Sequence, residues 1–180
     1  MLTDNKILGT NSNNTVNLGS ESMLSSDVND NHILNGTLGD DILGGGSGDD
    51  ILDGGFGNDI LEGGLGSDTY IFQKGYGEDI IGNYTLGNND LDVDTLRMIG
   101  IREEEVKAVR NGQNLILAVD GTNDKVTIWN YFDYESVDRT FAVNRIGFEG
   151  NVVWDVQAIQ EITSNTVLGT NYQLILEKSV

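Results

Sequence analysis

Between residues 36 and 71 the chain repeats itself every nine residues without a slip. Gly36-Thr37-Leu38-Gly39-Asp40-Asp41-Ile42-Leu43-Gly44 is followed by segments that open at Gly45, Gly54 and Gly63. The shared pattern is Gly-Gly-x-Gly-x-Asp-x-apolar-x. Glycine stands fourth (Gly39, Gly48, Gly57, Gly66), aspartate sixth (Asp41, Asp50, Asp59, Asp68) and a large apolar residue eighth (Leu43, Leu52, Leu61, Tyr70). A fixed period marks a stacked repeat architecture. An acidic linker has no reason to keep an apolar residue at every ninth place, so the block reads as structure.

Each residue type has a physical reason. Six residues that turn and expose carbonyl oxygens cannot all carry a Cβ, and glycines at the first, second and fourth positions permit positive φ and close backbone approach. The next three residues form a short strand, whose alternation puts the sixth and eighth positions on one side. The aspartate then points to the turn and the leucine to the core. Two nonapeptides make one 18-residue coil of a roll with two parallel faces, so Asp41 is expected to face Asp59, and Asp50 to face Asp68. Calcium takes six to eight oxygens from carboxylates and carbonyls. One turn supplies too few, and two facing turns supply enough.

Charge and composition agree. The chain has 10 Lys+Arg against 29 Asp+Glu, a net charge of −19. Nucleic acid is thereby excluded, because phosphate binding needs a cationic surface. A carboxylate surplus of this size opposes compaction unless cations neutralise it, so stability is expected to depend on metal. There is no cysteine, hence no disulfide and no thiolate zinc site. There is no proline either, which leaves the turns to glycine. No run approaches the ~20 apolar residues of a membrane span, and residues 1–30 lack the pattern of a cleavable signal peptide.

The flanks are less regular. Counting back by nines leaves Leu34 and Val16 at eighth positions and Gly9-Thr10 at a repeat start, while His32 and Asn14 replace the aspartate. Residues 1–35 are read as degenerate capping repeats. After Tyr70, Lys74-Gly75-Tyr76-Gly77-Glu78-Asp79-Ile80-Ile81 repeats the pattern two residues late, with lysine for the first glycine. Asp90, Asp92 and Asp94 before Thr95-Leu96 read equally as an extension of the roll or as the start of the next unit. The roll is therefore placed at 36–94 and a β-rich capping domain at 95–180. In the latter, residues 115–119, the turn Asp120-Gly121 and residues 125–129 read as a hairpin. Residues 142–148 read as a strand, and Asp155 as the N-cap of a short helix over 156–162. Residues 163–171 echo Ile7-Leu8-Gly9-Thr10-Asn11, as a further repeat block or a terminal strand. Residues 172–180 read equally as an export signal or a plain chain end.

Residues 36–71 resemble the RTX, or haemolysin-type calcium-binding, repeat family. The two middle repeats, 45–53 and 54–62, match its pattern at every defined position. Residues 71–162 resemble the domain that often follows such repeats in haemolysin-related proteins, judged by Asp68-Thr69-Tyr70-Ile71-Phe72, Asn114-Leu115-Ile116-Leu117 and Phe148-Glu149-Gly150 with Trp154. The resemblance implies an all-β fold: a parallel β-roll followed by a small β-rich domain with one short helix. It implies that the earlier turn gives its second- and fourth-position carbonyls plus Asp, and the turn 18 residues later its first- and third-position carbonyls plus Asp. One Ca2+ would then sit among Thr37, Gly39, Asp41, Gly54, Phe56 and Asp59. A second would sit among Gly46, Gly48, Asp50, Gly63, Leu65 and Asp68, and a third would use Gly55, Gly57, Asp59, Lys74, Tyr76 and Asp79. A set pairing Val28, Asp30 and His32 with Gly45, Ser47 and Asp50 is left out, because calcium prefers oxygen to imidazole nitrogen.

Other features read as structural. His32 has no catalytic partner at a recognisable spacing and is assigned to a turn. Ile42 and Ile60 are expected to point outward on one face and Ile33 and Ile51 on the other. Trp129, Tyr131, Phe132 and Tyr134 read as core and rim rather than a sugar platform, and Glu103-Glu104-Glu105 as the charged first turn of a short helix or a loop. The function expected is a non-enzymatic, calcium-induced folding module of a secreted protein, exported, as the resemblance implies, by a type I secretion apparatus. The alternative is an adhesion or glycan-binding module, or an auxiliary module of a polysaccharide-modifying enzyme, meeting a host surface through residues 95–162.

Overall fold

The computed structural model of the protein describes residues 5–8, 15–17, 31–82, 92–133 and 143–166. Its first strands are β1 (Asn5–Leu8), β2 (Thr15–Asn17), β3 (His32–Leu38), β4 (Ile42–Ser47), β5 (Ile51–Phe56), β6 (Ile60–Leu65), β7 (Thr69–Gln73) and β8 (Glu78–Ile81). Next come β9 (Thr95–Ile99), a 3-10 turn at Glu103–Glu105, β10 (Val106–Asn111), β11 (Asn114–Val119), β12 (Lys125–Ile128), β13 (Arg145–Gly147), β14 (Val153–Asp155) and the helix α1 (Val156–Thr166). The molecule is mainly β, and its repeat strands alternate between two sheets. One sheet has the order β1-β3-β5-β7-β9-β13-β14 and the other β10-β11-β12-β8-β6-β4-β2.

The eighth-position side chains form two apolar columns. Register partners place Leu34, Leu52, Tyr70, Leu96 and Ile146 in line in the first sheet. Leu43, Leu61, Ile81 and Ile128 are in line in the second. All nine are buried and belong to one core. Full burial of each stabilises by about 1.5–3 kcal/mol. The seventh positions face outward as expected: Ile33, Ile42 and Ile51 are exposed and Ile60 is half-buried.

Both sheets run on across the 94/95 boundary. β9 pairs in parallel with β7, and β12 in parallel with β8. The expected hairpin of β11 and β12 is antiparallel, and β10 adds a further antiparallel strand that the repeat pattern and turn signals do not announce. Glu103–Glu105 makes the short helical turn. The helix is longer than expected, ending at Thr166, and Asp155 caps it by accepting from the Ala158 N–H at 2.9 Å. The helix packs against β10 and β14, the last strand of each sheet.

At the other end, stacking departs from the 18-residue rule. Ile7 lies beside Leu34 and Val16 beside Leu43, three nonapeptides apart instead of two. The nine-residue phase survives, but one extra nonapeptide separates β2 from β3, so Val16 does not stack on Leu34 as backward counting implies. Asn14, Val28, Asp30, Asp90, Tyr134 and the echo at 167–171 lie outside the described residues.

Candidate metal sites in the turns

The turns lie in two rows, one on each edge of the roll. The Asp41, Asp59 and Asp79 turns cross from the first sheet to the second, and the Asp50 and Asp68 turns cross back. The sixth-position carboxylates of Asp59, Asp68 and Asp79 are fixed by the coil before each. Oδ1 of Asp59 accepts the Asp41 N–H at 2.8 Å, Asp68 that of Asp50 at 2.9 Å, and Asp79 that of Asp59 at 3.1 Å. A second, outer ladder runs beside it, in which Asp40 accepts from the Asn58 N–H and Asp49 from the Ser67 N–H, both at 2.8 Å.

The other carboxylate oxygens are differently placed. Oδ2 of Asp50, Asp59, Asp68 and Asp79 is buried and accepts no hydrogen bond. A buried carboxylate oxygen in that state costs several kcal/mol unless a cation or proton meets it. Burial pushes the Asp59 carboxyl up to about 6, with Asp41, Asp40 and Asp53 adding repulsion. Burial likewise pushes Asp68 up to about 8, with Asp94, Asp50 and Asp49 adding to it, and Asp79 up to about 8, helped by Asp59, Asp53 and Asp124. Each needs positive charge.

The glycines show where that charge fits. A Cβ on Gly36 would collide with both Asp41 Oδ2 and the Gly54 carbonyl oxygen, and one on Gly45 with Asp50 Oδ2 and, at 2.7 Å, the Gly63 carbonyl oxygen. The sixth-position Oδ2 and the first-position carbonyl of the next coil therefore converge on one small space. Second-position carbonyls face the next coil too: a Cβ on Gly55 would strike the Thr37 carbonyl, and one on Gly64 that of Gly46. Fourth-position carbonyls do the same, Gly39 toward Gly57, Gly48 toward Gly66 and Gly57 toward Gly77. Third-position carbonyls point back, Phe56 accepting from the Gly39 N–H and Leu65 from the Gly48 N–H at 2.8 Å, and Tyr76 from the Gly57 N–H at 2.9 Å.

The intervals 36–41 against 54–59 and 45–50 against 63–68 thus hold all the residues of the first two expected sets. Among the described residues no three carboxylate, imidazole or thiolate side chains converge. The donors are mostly backbone carbonyls, a set that suits a hard cation such as calcium and not zinc.

The third set is assembled only in part. Tyr76, Asp79 and Gly57 take their places on the ladder, but β7 runs straight through Phe72, which pairs with Met98, and the turn forms two residues later. The Cβ space of Gly75 meets the Phe56 ring rather than the Gly55 carbonyl. The Lys74 side chain, which the expected set does not use, directs Nζ to Glu105 Oε1 at 2.7 Å. That contact, with the Arg102 N–H, holds the Glu105 carboxyl down to about 2.

Neighbours close both rows. His32 stands at a sixth position, and both its N–H (2.7 Å) and its Nδ1 (3.0 Å) reach Asp50 Oδ1, the residue that the 18-residue rule sets opposite it. Asp94 is a further rung, accepting the Asp68 N–H at 2.8 Å, and Asn144 comes after it by accepting the Asp94 N–H at 2.7 Å. On the opposite edge Val126 stands level with Asp79. Asp124 caps the Lys74 turn, accepting from the N–H groups of Gly75 (2.7 Å) and Gly77 (3.3 Å). Sequence spacing assigns Asp94, Asn144 and Asp124 to no site. Their one signal is the triplet Asp94-Thr95-Leu96, which copies Asp68-Thr69-Tyr70 at the wrong spacing.

Comparison with known proteins falls on the same segments. Residues 114–158 match the haemolysin-type calcium binding protein related domain. The chain is 39% identical over 104 residues to the iron-regulated protein FrpA of Neisseria meningitidis serogroup C, an overlap of 57% of this chain and 9% of that much longer protein. Residues 35–70 match the RTX calcium-binding nonapeptide repeat in four copies, and the chain accordingly carries calcium-binding repeats of the RTX type followed by a haemolysin-type related domain.

Proposed function

We propose that calcium drives the folding of this chain, and that the module serves a protein exported by type I secretion which folds only after reaching calcium outside the cell. The observation that carries this reading is the row of buried, unpartnered Oδ2 atoms facing carbonyls of the next coil. The ligand sets proposed are those around Asp41/Asp59 and Asp50/Asp68, with a looser one around Asp59/Asp79. With Kd about 10⁻⁴ M, as in extracellular sites, and ~1–2 mM calcium, each ion stabilises by roughly 1.4–1.8 kcal/mol. At submicromolar calcium that contribution vanishes and a net charge of −19 remains, which favours an extended chain suited to threading.

Asp59 belongs to two sets and tests this reading. Asp59→Ala is expected to lower the calcium bound at saturation, counted by equilibrium dialysis, by two ions, against one for Asp41→Ala. Unchanged counts in both variants would overturn the assignment. The adhesion or glycan-binding alternative finds little support, since Tyr131 and Phe132 are buried and Trp129 alone of the three described aromatics reaches the surface, at 37% exposure. No helix of the described residues is long and apolar enough to cross a membrane.

A further inference from the structure

We infer a further calcium site beyond the nonapeptide repeats, held by the carbonyls of Gly64 and Gly66 and the carboxylates of Asp68 and Asp94. The inference rests on the calcium reading of the repeats and extends it to a residue outside the matched repeats.

The turn that enters β9 reproduces the contacts of a repeat turn. Asp94 Oδ1 accepts the Asp68 N–H at 2.8 Å, as Asp68 accepts that of Asp50 at 2.9 Å. The Asp68 carbonyl accepts the Thr95 N–H at 2.8 Å, as the Asp50 carbonyl accepts that of Thr69 at 2.7 Å. Ser67 Oγ accepts the Val93 N–H at 3.0 Å, as Asp49 Oδ1 accepts that of Ser67 at 2.8 Å. Asp94 is buried and in register with Asp68. Its separation from Asp68 is 26 residues instead of 18, which hides it from a search at fixed period.

An independent observation points to a ligand. Asp68 is fully buried and its Oδ2 accepts no hydrogen bond. In the two regular intervals the Oδ2 of the earlier aspartate meets the first-position carbonyl of the later turn. Asp68 Oδ2 likewise crowds the Cβ space of Gly63, as Asp50 Oδ2 crowds that of Gly45. Two buried carboxylates on adjacent rungs, both acceptors only when ionised, call for a cation, and a mainly carbonyl and carboxylate donor set selects calcium. The row closes immediately afterwards, because the next rung is the neutral amide of Asn144.

The test compares the native chain with Asp94→Asn, which keeps the acceptor for the Asp68 N–H and removes the charge. Calcium bound at saturation, counted by equilibrium dialysis with circular dichroism verifying the fold, is expected to fall by one ion in Asp94→Asn. An equal count in both chains would overturn the site. Crystals of the native chain grown in calcium decide it without any variant, since an anomalous peak between Asp68 and Asp94 is expected and its absence would refute the inference. A native chain that binds no calcium at all would instead refute the reading on which the inference rests.

Discussion

Thr37 is the one residue of the second positions that is not glycine, and it bears the conformation that its place demands. Its φ is 120°, against 101°, 90° and 104° for Gly46, Gly55 and Gly64. A β-branched residue there is strained by about 1–3 kcal/mol, and it stays because its carbonyl must face Gly55. Thr37→Gly relieves that strain and gives the unfolded chain the greater backbone entropy of glycine, an opposing effect of only about 0.5–1 kcal/mol. The calcium-loaded protein is therefore expected to gain about 1 kcal/mol in urea unfolding. A loss of stability would show that the threonine side chain contributes more than its backbone costs. Aspartate has the opposite status, since its first oxygen is held by the preceding coil and its second is left for the ion, so asparagine can keep the ladder but not the charge.

At the scale of elements, the roll and the segment after it share both sheets, joined by side chains that act as extra rungs. Asp124 is the clearest case: it lies just before β12, is buried, and accepts two N–H groups of the Lys74 turn. Asp124→Ala leaves both donors unmet and is expected to cost about 1–3 kcal/mol in calcium-saturated urea unfolding, with faster hydrogen exchange at Gly75 and Gly77. Unchanged exchange there would remove Asp124 from the joint. The repeats are legible because each position has one physical duty at a fixed period. Leu43 and Leu61, or Asp50 and Asp68, declare their stacking by spacing alone. The rest is hidden where spacing and duty part. Ile7 stacks on Leu34 across an extra nonapeptide, Asp94 is a rung at the wrong interval, and Val126 takes an aspartate's level by a strand pairing that no local pattern announces. Gly75 shows the converse, a second-position glycine in sequence whose Cβ space meets the Phe56 ring instead of a stacked carbonyl.

For the whole molecule the governing quantity is charge. Its 29 acidic side chains face 10 basic ones, and the carboxylates that order the turns are buried in two rows instead of spread over the surface. Folding without cations would either leave these rows ionised and repelling or require protons, as the raised Asp68 and Asp79 imply. Apolar burial in the two columns opposes this repulsion, and on the proposed reading calcium decides the balance. The helix α1 and the strands β10 and β14 close the far end, so the ordered unit includes the segment after the repeats. The direct measurement is a calcium titration at neutral pH, starting from chelator and followed by far-ultraviolet circular dichroism. A transition from a largely unfolded chain to the β spectrum between micromolar and millimolar calcium is the predicted result, and a full β spectrum in chelator that calcium leaves unchanged would contradict the account.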